Sequence, residues 1–343
     1  MAEVKGIDAE RVTAWFAEHV PAAQSPLTFD LIAGGHSNLT YSVTDATGAK
    51  WVLRRPPVGH LLASAHDMGR EHKIIAALAH TDVPVAPAVG LCTDDEVNGA
   101  PFYVMDFVDG LILRDPKIVA TISEAARTNA SNSIAETLAK IHAVDPDAVG
   151  LGDLGKKEDY LARQLRRWYG QWEKSKTREL PLIDELHDRL QAGMPAQGPA
   201  AIVHGDYRLD NCMTDRDGDV IAVLDWELCT LGDPLADVGL LMVYWTERDD
   251  TSSALPTAPT QADGFLTRKE VLDRYAELSG RDLSQVDYYT AFGFWKLACI
   301  VEGVYARYLH GQMGESDRSA FDVFKIQVER CADSALQYLE RLG

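Results

Sequence analysis

Short apolar runs and amphipathic stretches alternate through the first third of the chain. Residues 7–20 have the spacing of an amphipathic helix, which Pro21 ends. Three runs rich in branched and aromatic residues follow, with glycines between them, and this pattern is typical of an antiparallel meander. The three runs are 27–33, 39–45 and 50–56.

A helix and two further strands complete this region. Apolar positions at helical spacing predict a helix over residues 63–80, and β-type runs follow at 85–92 and 102–108. The order β-β-β-α-β-β places one helix against one sheet, as in a small α+β domain. We assign residues 1–108 to this domain.

The character of the chain changes after Asp109–Gly110. Most of residues 109–343 has helical periodicity, including a predicted helix at 285–309. One β-type piece interrupts the helices, at 201–214 and 220–226. The predicted fold class is therefore α+β, with a small β-rich N-lobe and a larger, mainly helical C-lobe. A ligand cleft is expected between two such lobes.

Charge and composition exclude several partners. The 343 residues include 52 acidic and 33 basic side chains, and the net charge of −19 repels a polyphosphate backbone, so we expect no nucleic-acid partner. No apolar run reaches the roughly 18 residues of a membrane helix, and the charged start of the chain lacks the apolar core of a secretory signal. We expect a cytoplasmic protein without a membrane partner. The scattered cysteines indicate neither disulfides nor a zinc site.

The strongest chemical signal is a pair of short motifs in the C-terminal half. The first is His204-Gly205-Asp206-Tyr207-Arg208-Leu209-Asp210-Asn211, and the second is Leu224-Asp225-Trp226-Glu227. Phosphoryl transfer needs a carboxylate to orient and deprotonate a hydroxyl, and hard oxygen ligands for Mg²⁺. Asp206 suits the first task, and Asn211 with Asp225 suits the second.

This pattern, HGDxxxxN followed by DWE, resembles the aminoglycoside/choline-kinase-like phosphotransferases. The resemblance implies a two-lobed protein-kinase-like fold, a nucleotide-binding N-lobe, and a C-lobe with the catalytic loop, metal site and substrate-binding helices. It implies ATP and Mg²⁺ as cofactors and a small hydroxyl-bearing molecule as acceptor. Asp206 would be the base, Asn211 and Asp225 the metal ligands, and His204 structural. Glu227 either reaches a second metal or is solvated.

The resemblance assigns a phosphate-binding loop to the turn between the first two strands. Gly34, Gly35, His36, Ser37 and Asn38 form this turn, whose glycines permit close backbone approach to phosphate oxygens. The alternative is an ordinary hairpin.

A buried carboxylate is expected on the predicted helix. Glu71 shares an apolar stripe with Met68, Ile75 and Leu78, and a carboxylate there requires a paired cation. Kinases of this fold use a lysine on the third strand, which also binds phosphates, but this chain has Arg54. Arginine can pair bidentately with Glu71 and with phosphate, although its geometry differs. The alternative places Arg54 in solvent on an edge strand.

Two further segments match the family. Asp106, Phe107 and Val108 fall where the hinge between the lobes binds adenine through backbone groups. Asp233 and Asp237 belong to a GDPxxDxG match, in which Asp233-Pro234 begins a helix and Asp237 is structural.

The acceptor is the least determined feature. The segments VLRRPP and FYVMDFVDG are similar to the kinase-like domains of acyl-CoA dehydrogenase fusion proteins, which implies a hydroxyacyl-CoA acceptor. The basic, aromatic segment Arg163–Arg178 would suit coenzyme A, or it is a solvated amphipathic helix. The net charge of −19 favours a cationic acceptor, such as an aminoglycoside or an amino alcohol. The chain is also compatible with a non-catalytic nucleotide- or acyl-CoA-binding module and, with less support, with a metal-dependent hydrolase. The oligomeric state stays open.

Overall fold

The computed structural model describes residues 4–34, 38–58, 67–250, 255, 258–311 and 321–342. The chain forms two compact units, one of residues 1–110 with 221–227 and one of residues 111–220 with 228–343. The boundary predicted between residues 108 and 109 stays a prediction. Among the described helices, none has the length and apolarity that a membrane span requires.

In its described residues, the first unit consists of an antiparallel sheet and three helices. The elements are α1 (Ala9–His19), β1 (Thr28–Gly34), β2 (Leu39–Thr44), β3 (Lys50–Arg55), α2 (Met68–Leu78), β4 (Ala88–Cys92), α3 (Asp95–Asn98) and β5 (Phe102–Asp106). The strands pair in the order β1-β2-β3-β5-β4, so β3 lies in the interior of the sheet.

Helix α2 confirms the predicted stripe. It begins where the Asp67 side chain accepts a hydrogen bond from the backbone N–H of Arg70, a standard N-cap. Its buried face includes Met68, Ile75 and Leu78, and Glu71 lies among them with 3% exposure. Residues 63–66, where we predicted the start of this helix, lie outside the described residues.

Aromatic side chains of α1 fill the core of the first unit. Trp15 and Phe16 are buried, and the Trp15 ring meets Phe102 of β5 edge-on at a centroid distance of 5.0 Å. Burying one such ring contributes roughly 2–3 kcal/mol, so this helix is an integral part of the unit.

The second unit is mainly helical. Its elements are β6 (Leu111–Ile112), α4 (Pro116–Val119), α5 (Glu124–Ala143), α6 (Tyr160–Ser175), α7 (Pro181–Ala192), β7 (Ala201–Val203), β8 (Cys212–Thr214), β9 (Val220–Val223), β10 (Thr230–Gly232), α8 (Leu235–Tyr244), α9 (Arg268–Ser279), α10 (Val286–Leu309) and α11 (Asp322–Glu340). Strand β9 begins at Val220 in this unit, and its residues 221–223 belong to the first unit.

Helix α10 is the centre of the second unit. It packs against α11, α8 and α6, and its residues are buried around most of its circumference. A helix that is apolar on nearly all sides belongs in a core. This burial makes the single lysine of the helix, Lys296, an unusual residue, since it is only 8% exposed.

The β-type piece predicted at 201–214 contains two short strands, β7 and β8, with the motif residues in a loop between them. Strand β7 ends at Val203 and pairs with β10, residues 204–208 form a loop, and Leu209–Asn211 is a 3-10 turn before β8. The loop leaves the sheet because its first two backbone N–H groups bond to the side chain of Asp237 rather than to a strand.

Candidate active site

The loop after β7 has a backbone that only glycine fits. Gly205 has φ +85°, in the left-handed region, and a Cβ atom built there would lie 2.8 Å from the carbonyl oxygen of Leu228. The next residue is Asp206. The shape of this turn therefore depends on Gly205 and sets the path of the backbone into Asp206.

Asp237 holds this turn from α8. Its Oδ2 accepts from the backbone N–H of His204 at 2.6 Å, and its Oδ1 accepts from that of Gly205 at 2.8 Å. Burial alone would raise the pKa of Asp237, but its hydrogen bonds with His142 and with the N–H of Gly205 contribute to lowering it overall. Asp237 therefore has a structural role, as the motif predicts, and it acts by bracing the turn before Asp206.

Asn211 returns to Asp206 across the 3-10 turn. Its Nδ2 donates to Oδ2 of Asp206 at 2.9 Å and to the Asp206 backbone carbonyl at 2.8 Å. Both bonds use the amide nitrogen, so Oδ1 is the atom that Asn211 can offer to a cation. The structure therefore brings together the predicted base and one predicted metal ligand.

Arg208 is a member of this site that was not among the predicted residues. Its Nε lies 3.4 Å from Oδ2 of Asp206, its Nη1 lies 3.2 Å from Oδ2 of Asp210, and its guanidinium lies 4.7 Å from the centre of the Tyr244 ring. Burial raises the pKa of Asp210, although the Arg208 charge opposes this. Its signal in the sequence was its position inside the motif, two residues after Asp206.

In the first unit, the predicted pair of Arg54 and Glu71 is present. Nε of Arg54 lies 3.0 Å from Oε2 of Glu71, and Nη2 of Arg54 donates to Oδ1 of Asp225 at 2.6 Å. The alternative that Arg54 is exposed on an edge strand is wrong, because β3 is an interior strand and the side chain is 14% exposed. Arg54 therefore joins the helix carboxylate to a predicted metal ligand.

Glu71 receives two further hydrogen bonds. Asn38 Nδ2 donates to Oε1 at 3.1 Å, and the Tyr103 hydroxyl donates to Oε2 at 3.1 Å. Burial raises the pKa of Glu71, while the Arg54 charge and the Tyr103 hydrogen bond oppose that rise. Tyr103 was not predicted from the sequence. Its signal is the strand register, since Tyr103 lies directly opposite Arg54 between β5 and β3.

Asp225 and Glu227 follow β9 in a strained turn. Asp225 has φ +63°, which is uncommon for a residue other than glycine and often marks functional sites. Oε2 of Glu227 accepts from Asn38 Nδ2 at 3.1 Å and lies 3.8 Å from Nη2 of Arg54. We name Asn38, Arg54, Glu71, Tyr103, Asp225 and Glu227 the Arg54 cluster.

The predicted phosphate loop is described only at its ends. Gly34 ends β1 and Asn38 precedes β2, whereas Gly35, His36 and Ser37 lie outside the described residues. The amide nitrogen of Asn38 already bonds to two carboxylates of the cluster. A role of this loop in phosphate binding stays a prediction.

The predicted hinge segment follows β5. The N–H of Asp106 donates to the carbonyl of Pro87 at 2.9 Å, so this donor already has a protein partner. Phe107 lies under Lys50, whose Nζ is 5.3 Å from the ring centre, and Val108 is half-buried. Adenine binding here stays a prediction, and it would use Phe107, Val108 and the Asp106 carbonyl.

Comparison with known sequences decides the family. A sequence model described as the phosphotransferase enzyme family matches residues 28–279, which include every predicted site residue. The chain belongs to that family. A crystal structure from Ralstonia eutropha JMP134, whose protein carries a provisional aminoglycoside phosphotransferase name, is 34% identical with a TM-score of 0.81. The match covers 97% of this chain and 98% of that one.

This likeness confirms the predicted fold class, the two-lobed kinase-like fold of the aminoglycoside phosphotransferases. The first unit holds the small antiparallel sheet and the second unit is mainly helical. The chain is therefore a kinase-like phosphotransferase.

Curated relatives confirm the narrower resemblance. Acyl-CoA dehydrogenase family member 10 of Mus musculus is 36% identical over 282 residues, and the match covers 81% of this chain and 26% of the mouse protein. Family member 11 of the same species is 35% identical over 320 residues, covering 90% of this chain and 41% of that protein. The chain thus spans less than half the length of these relatives.

Proposed function

We propose that this phosphotransferase moves the γ-phosphate of ATP to a hydroxyl of a small molecule in an Mg²⁺-dependent reaction. The observation that carries this proposal is the Asp206–Asn211 contact of 2.9 Å at the end of a braced turn. Phosphoryl transfer needs an oriented carboxylate and oxygen ligands for a metal ion. Here the amide nitrogen of Asn211 holds the carboxylate, and its amide oxygen is left to bind a cation.

Asp206 is proposed to orient the acceptor hydroxyl and take its proton. The contacts of Asn211 and Arg208 both fall on Oδ2, which leaves Oδ1 to accept a hydrogen bond from the hydroxyl. Asn211 keeps the carboxylate in one orientation, so the base need not reorganise during the reaction.

Asn211 and Asp225 are proposed to hold Mg²⁺. Both offer oxygen atoms, the ligand type that Mg²⁺ prefers, and the turn at Asp225 has the strained backbone often found at such positions. When bound, Mg²⁺ supplies positive charge that offsets the phosphate oxygens. A second metal at Glu227 is a weaker proposal, because its Oε2 already accepts from Asn38.

Arg54 is proposed to take the place of the usual lysine on the third strand. Its charge is shared among Glu71, Asp225 and Glu227, at 3.0, 2.6 and 3.8 Å. An arriving polyphosphate would compete with Asp225 and Glu227 for the outer end of the guanidinium, whereas Nε stays with Glu71. The Gly34–Asn38 loop and the Phe107–Val108 segment complete the proposed nucleotide site.

A hydroxyacyl-CoA is the acceptor class that we propose. Two observations support it: the acyl-CoA dehydrogenase names of the curated relatives, and the basic residues of α6 beside aromatic rings. The Arg167 guanidinium lies 5.1 Å from the Trp168 ring centre and that of Arg163 lies 6.0 Å from the Tyr160 ring centre. Trp168 and Tyr160 are buried and pack in the core, so the support for coenzyme A comes from the arginines alone, whose guanidinium groups suit its phosphates.

A second candidate is an aminoglycoside or amino-alcohol kinase. The name carried by the Ralstonia protein and the net charge of −19 favour it. A non-catalytic binding module is the third candidate, and the substitution of lysine by Arg54 motivates it. The two kinase candidates consume ATP with different acceptors, whereas the binding module does not consume it.

Nucleotide consumption with five acceptors separates the candidates. We would measure ADP or GDP release from Mg-ATP or Mg-GTP with 3-hydroxybutyryl-CoA, 4-hydroxypentanoyl-CoA, ethanolamine, choline and kanamycin. We expect turnover with a hydroxyacyl-CoA, and none from Asp206→Asn. Turnover confined to kanamycin or the amino alcohols would overturn the acceptor class. A thermal shift with Mg-ATP but no turnover with any compound would favour the binding module.

A further inference from the structure

Lys296 is a buried cation that the proposed mechanism does not use. It lies in the middle of α10 with 8% exposure, and its Nζ donates to the backbone carbonyl of Gly205 at 3.0 Å. The ammonium group also lies 5.5 Å from the centre of the Trp168 ring. A single lysine within an apolar helix therefore reaches the residue directly before the proposed base.

Burying an ammonium group costs free energy unless charged or hydrogen-bonding partners compensate for the lost water. Lys296 forms no salt bridge with any carboxylate of the residues described. Burial lowers its pKa, and the more distant charges of Asp206 and Asp237 oppose that fall. An apolar side chain at this position would fit the helix better, so packing alone does not explain the lysine.

The contacts of Gly205 show what the lysine does. The N–H of Gly205 donates to Asp237 on α8, and its carbonyl accepts from Lys296 on α10. The residue is thus held at both ends by charged side chains from two different helices. Because glycine has wide conformational freedom, a turn built on it needs external contacts to keep one shape.

We propose that Lys296 is a positioning residue for Asp206, acting through the carbonyl of Gly205. This inference rests on the proposed function of Asp206 as the base. The Gly205 carbonyl belongs to the peptide whose nitrogen is that of Asp206, so fixing this oxygen fixes the plane from which the Asp206 side chain extends. Asn211 then fixes the far end of the same side chain.

The test compares Lys296→Met, Lys296→Arg and the control Glu302→Gln. Methionine keeps the length of the side chain without a donor, and arginine keeps donors. Glu302 is a buried charged residue of the same helix that instead holds Thr177 and Arg178. Steady-state rates would be measured with Mg-ATP and 3-hydroxybutyryl-CoA or 4-hydroxypentanoyl-CoA, together with hydrogen exchange of the backbone amides at 204–206.

We expect Lys296→Met to lower kcat by about 10²-fold, since a displacement of about 1 Å at a reacting group has that effect. KM for ATP should change less than about twofold, and Lys296→Arg should recover at least tenfold of the lost rate. Amide exchange at 204–206 should accelerate in Lys296→Met. Glu302→Gln should lower stability but leave kcat and that exchange unchanged.

Two results would overturn the inference. One is a kcat of Lys296→Met equal to that of the wild type while Asp206→Asn is inactive, which would leave the proposed function intact. The other is unchanged exchange at 204–206 in Lys296→Met, a readout that needs no acceptor. If wild type and Asp206→Asn consumed ATP equally, the proposed function would fail, and hydrogen exchange would still decide whether Lys296 holds the loop.

Discussion

The two units of this phosphotransferase fix their acidic site residues in different ways. In the first unit, the Arg54 cluster joins side chain to side chain, with Arg54 between Glu71 and Asp225. In the second unit, charged side chains hold backbone groups around Asp206, with Asp237 and Lys296 on the two ends of Gly205. Ion pairs dominate the first arrangement and backbone hydrogen bonds the second.

The exposure of these groups shows what the difference means. The Asp225 and Glu227 side chains are 29% and 22% exposed, whereas Asp237 is 1% exposed. A partly exposed ion pair can exchange a partner when a charged ligand arrives, while a buried carboxylate with two backbone donors has no alternative partner. We infer that residues of the Arg54 cluster can exchange their ion-pair partners, whereas the Gly205 turn keeps one geometry.

Removing the central cation should have the largest effect on stability. Arg54→Met leaves the carboxylate of Glu71 buried without its cation, and breaking a buried pair in this way costs about 3–5 kcal/mol. The free energy of unfolding from urea denaturation measures this loss. The matched control is Arg248→Met, which breaks an exposed pair with Asp263 and should cost less than about 1 kcal/mol. Equal losses in the two variants would contradict a buried, coupled cluster.

Asp237→Asn should cost about 2–4 kcal/mol at neutral pH, because the amide cannot accept both backbone hydrogen bonds. The loss should depend on pH. The folded-state pKa of Asp237 is lowered, with its hydrogen bonds to His142 and to the N–H of Gly205 acting against the effect of burial. The stability it contributes is therefore present above the unfolded pKa of about 4 and is lost as pH falls through the lowered folded pKa.

Urea denaturation at several pH values between about 3.5 and 7 measures this dependence. The difference in unfolding free energy between wild type and Asp237→Asn should be constant above about pH 5 and shrink below about pH 4. Asp273→Asn, at an exposed pair with Lys269, is the control and should show a difference near zero throughout. A gap between wild type and Asp237→Asn that widened on acidification would contradict the bracing role of Asp237.

The smallest effect should come from Tyr103→Phe. It removes one donor to Glu71 and leaves the contacts of Arg54 and Asn38, so a loss of about 1.5 kcal/mol is expected. Tyr288→Phe is the control, because the Tyr288 hydroxyl donates to an uncharged acceptor, the carbonyl of Leu190, and should cost about 1 kcal/mol or less. A loss near zero for Tyr103→Phe in urea denaturation would show that Glu71 does not depend on Tyr103.

Local patterns predicted much of the fold from sequence. The stripe of α2 placed Glu71 on a buried face, and the need for a cation there pointed to Arg54 on β3. The first inference uses only side-chain spacing and the cost of a buried charge, which hold wherever such a helix packs on a sheet, whereas the choice of Arg54 also needed the family's lysine position on the third strand. The family motif likewise assigned Asp206, Asn211 and Asp225.

Contacts between residues distant in sequence were not predictable in this way. Apolar runs on both sides predict a loop that carries the motif, but the bonds from Asp237 that hold the backbone N–H groups of this loop are visible only in the structure. Lys296 gave no sequence signal as a site residue, since its link to Gly205 spans 91 positions. Tyr103 needed the register of β3 and β5 to be recognised. Such contacts depend on tertiary packing, which spacing along the chain does not encode.

The central claim is that Asp206 is the base. The rate of ATP consumption by the variant Asp206→Asn tests it most directly. The variant would be compared with the wild type for ATP consumption, using the acceptor among the five above that the wild type phosphorylates fastest, alongside Mg-ATP affinity and thermal stability. We predict that kcat falls by about 10³-fold or more, while Mg-ATP affinity and the melting temperature stay near the wild-type values. A variant that consumed ATP at the wild-type rate would contradict this role of Asp206.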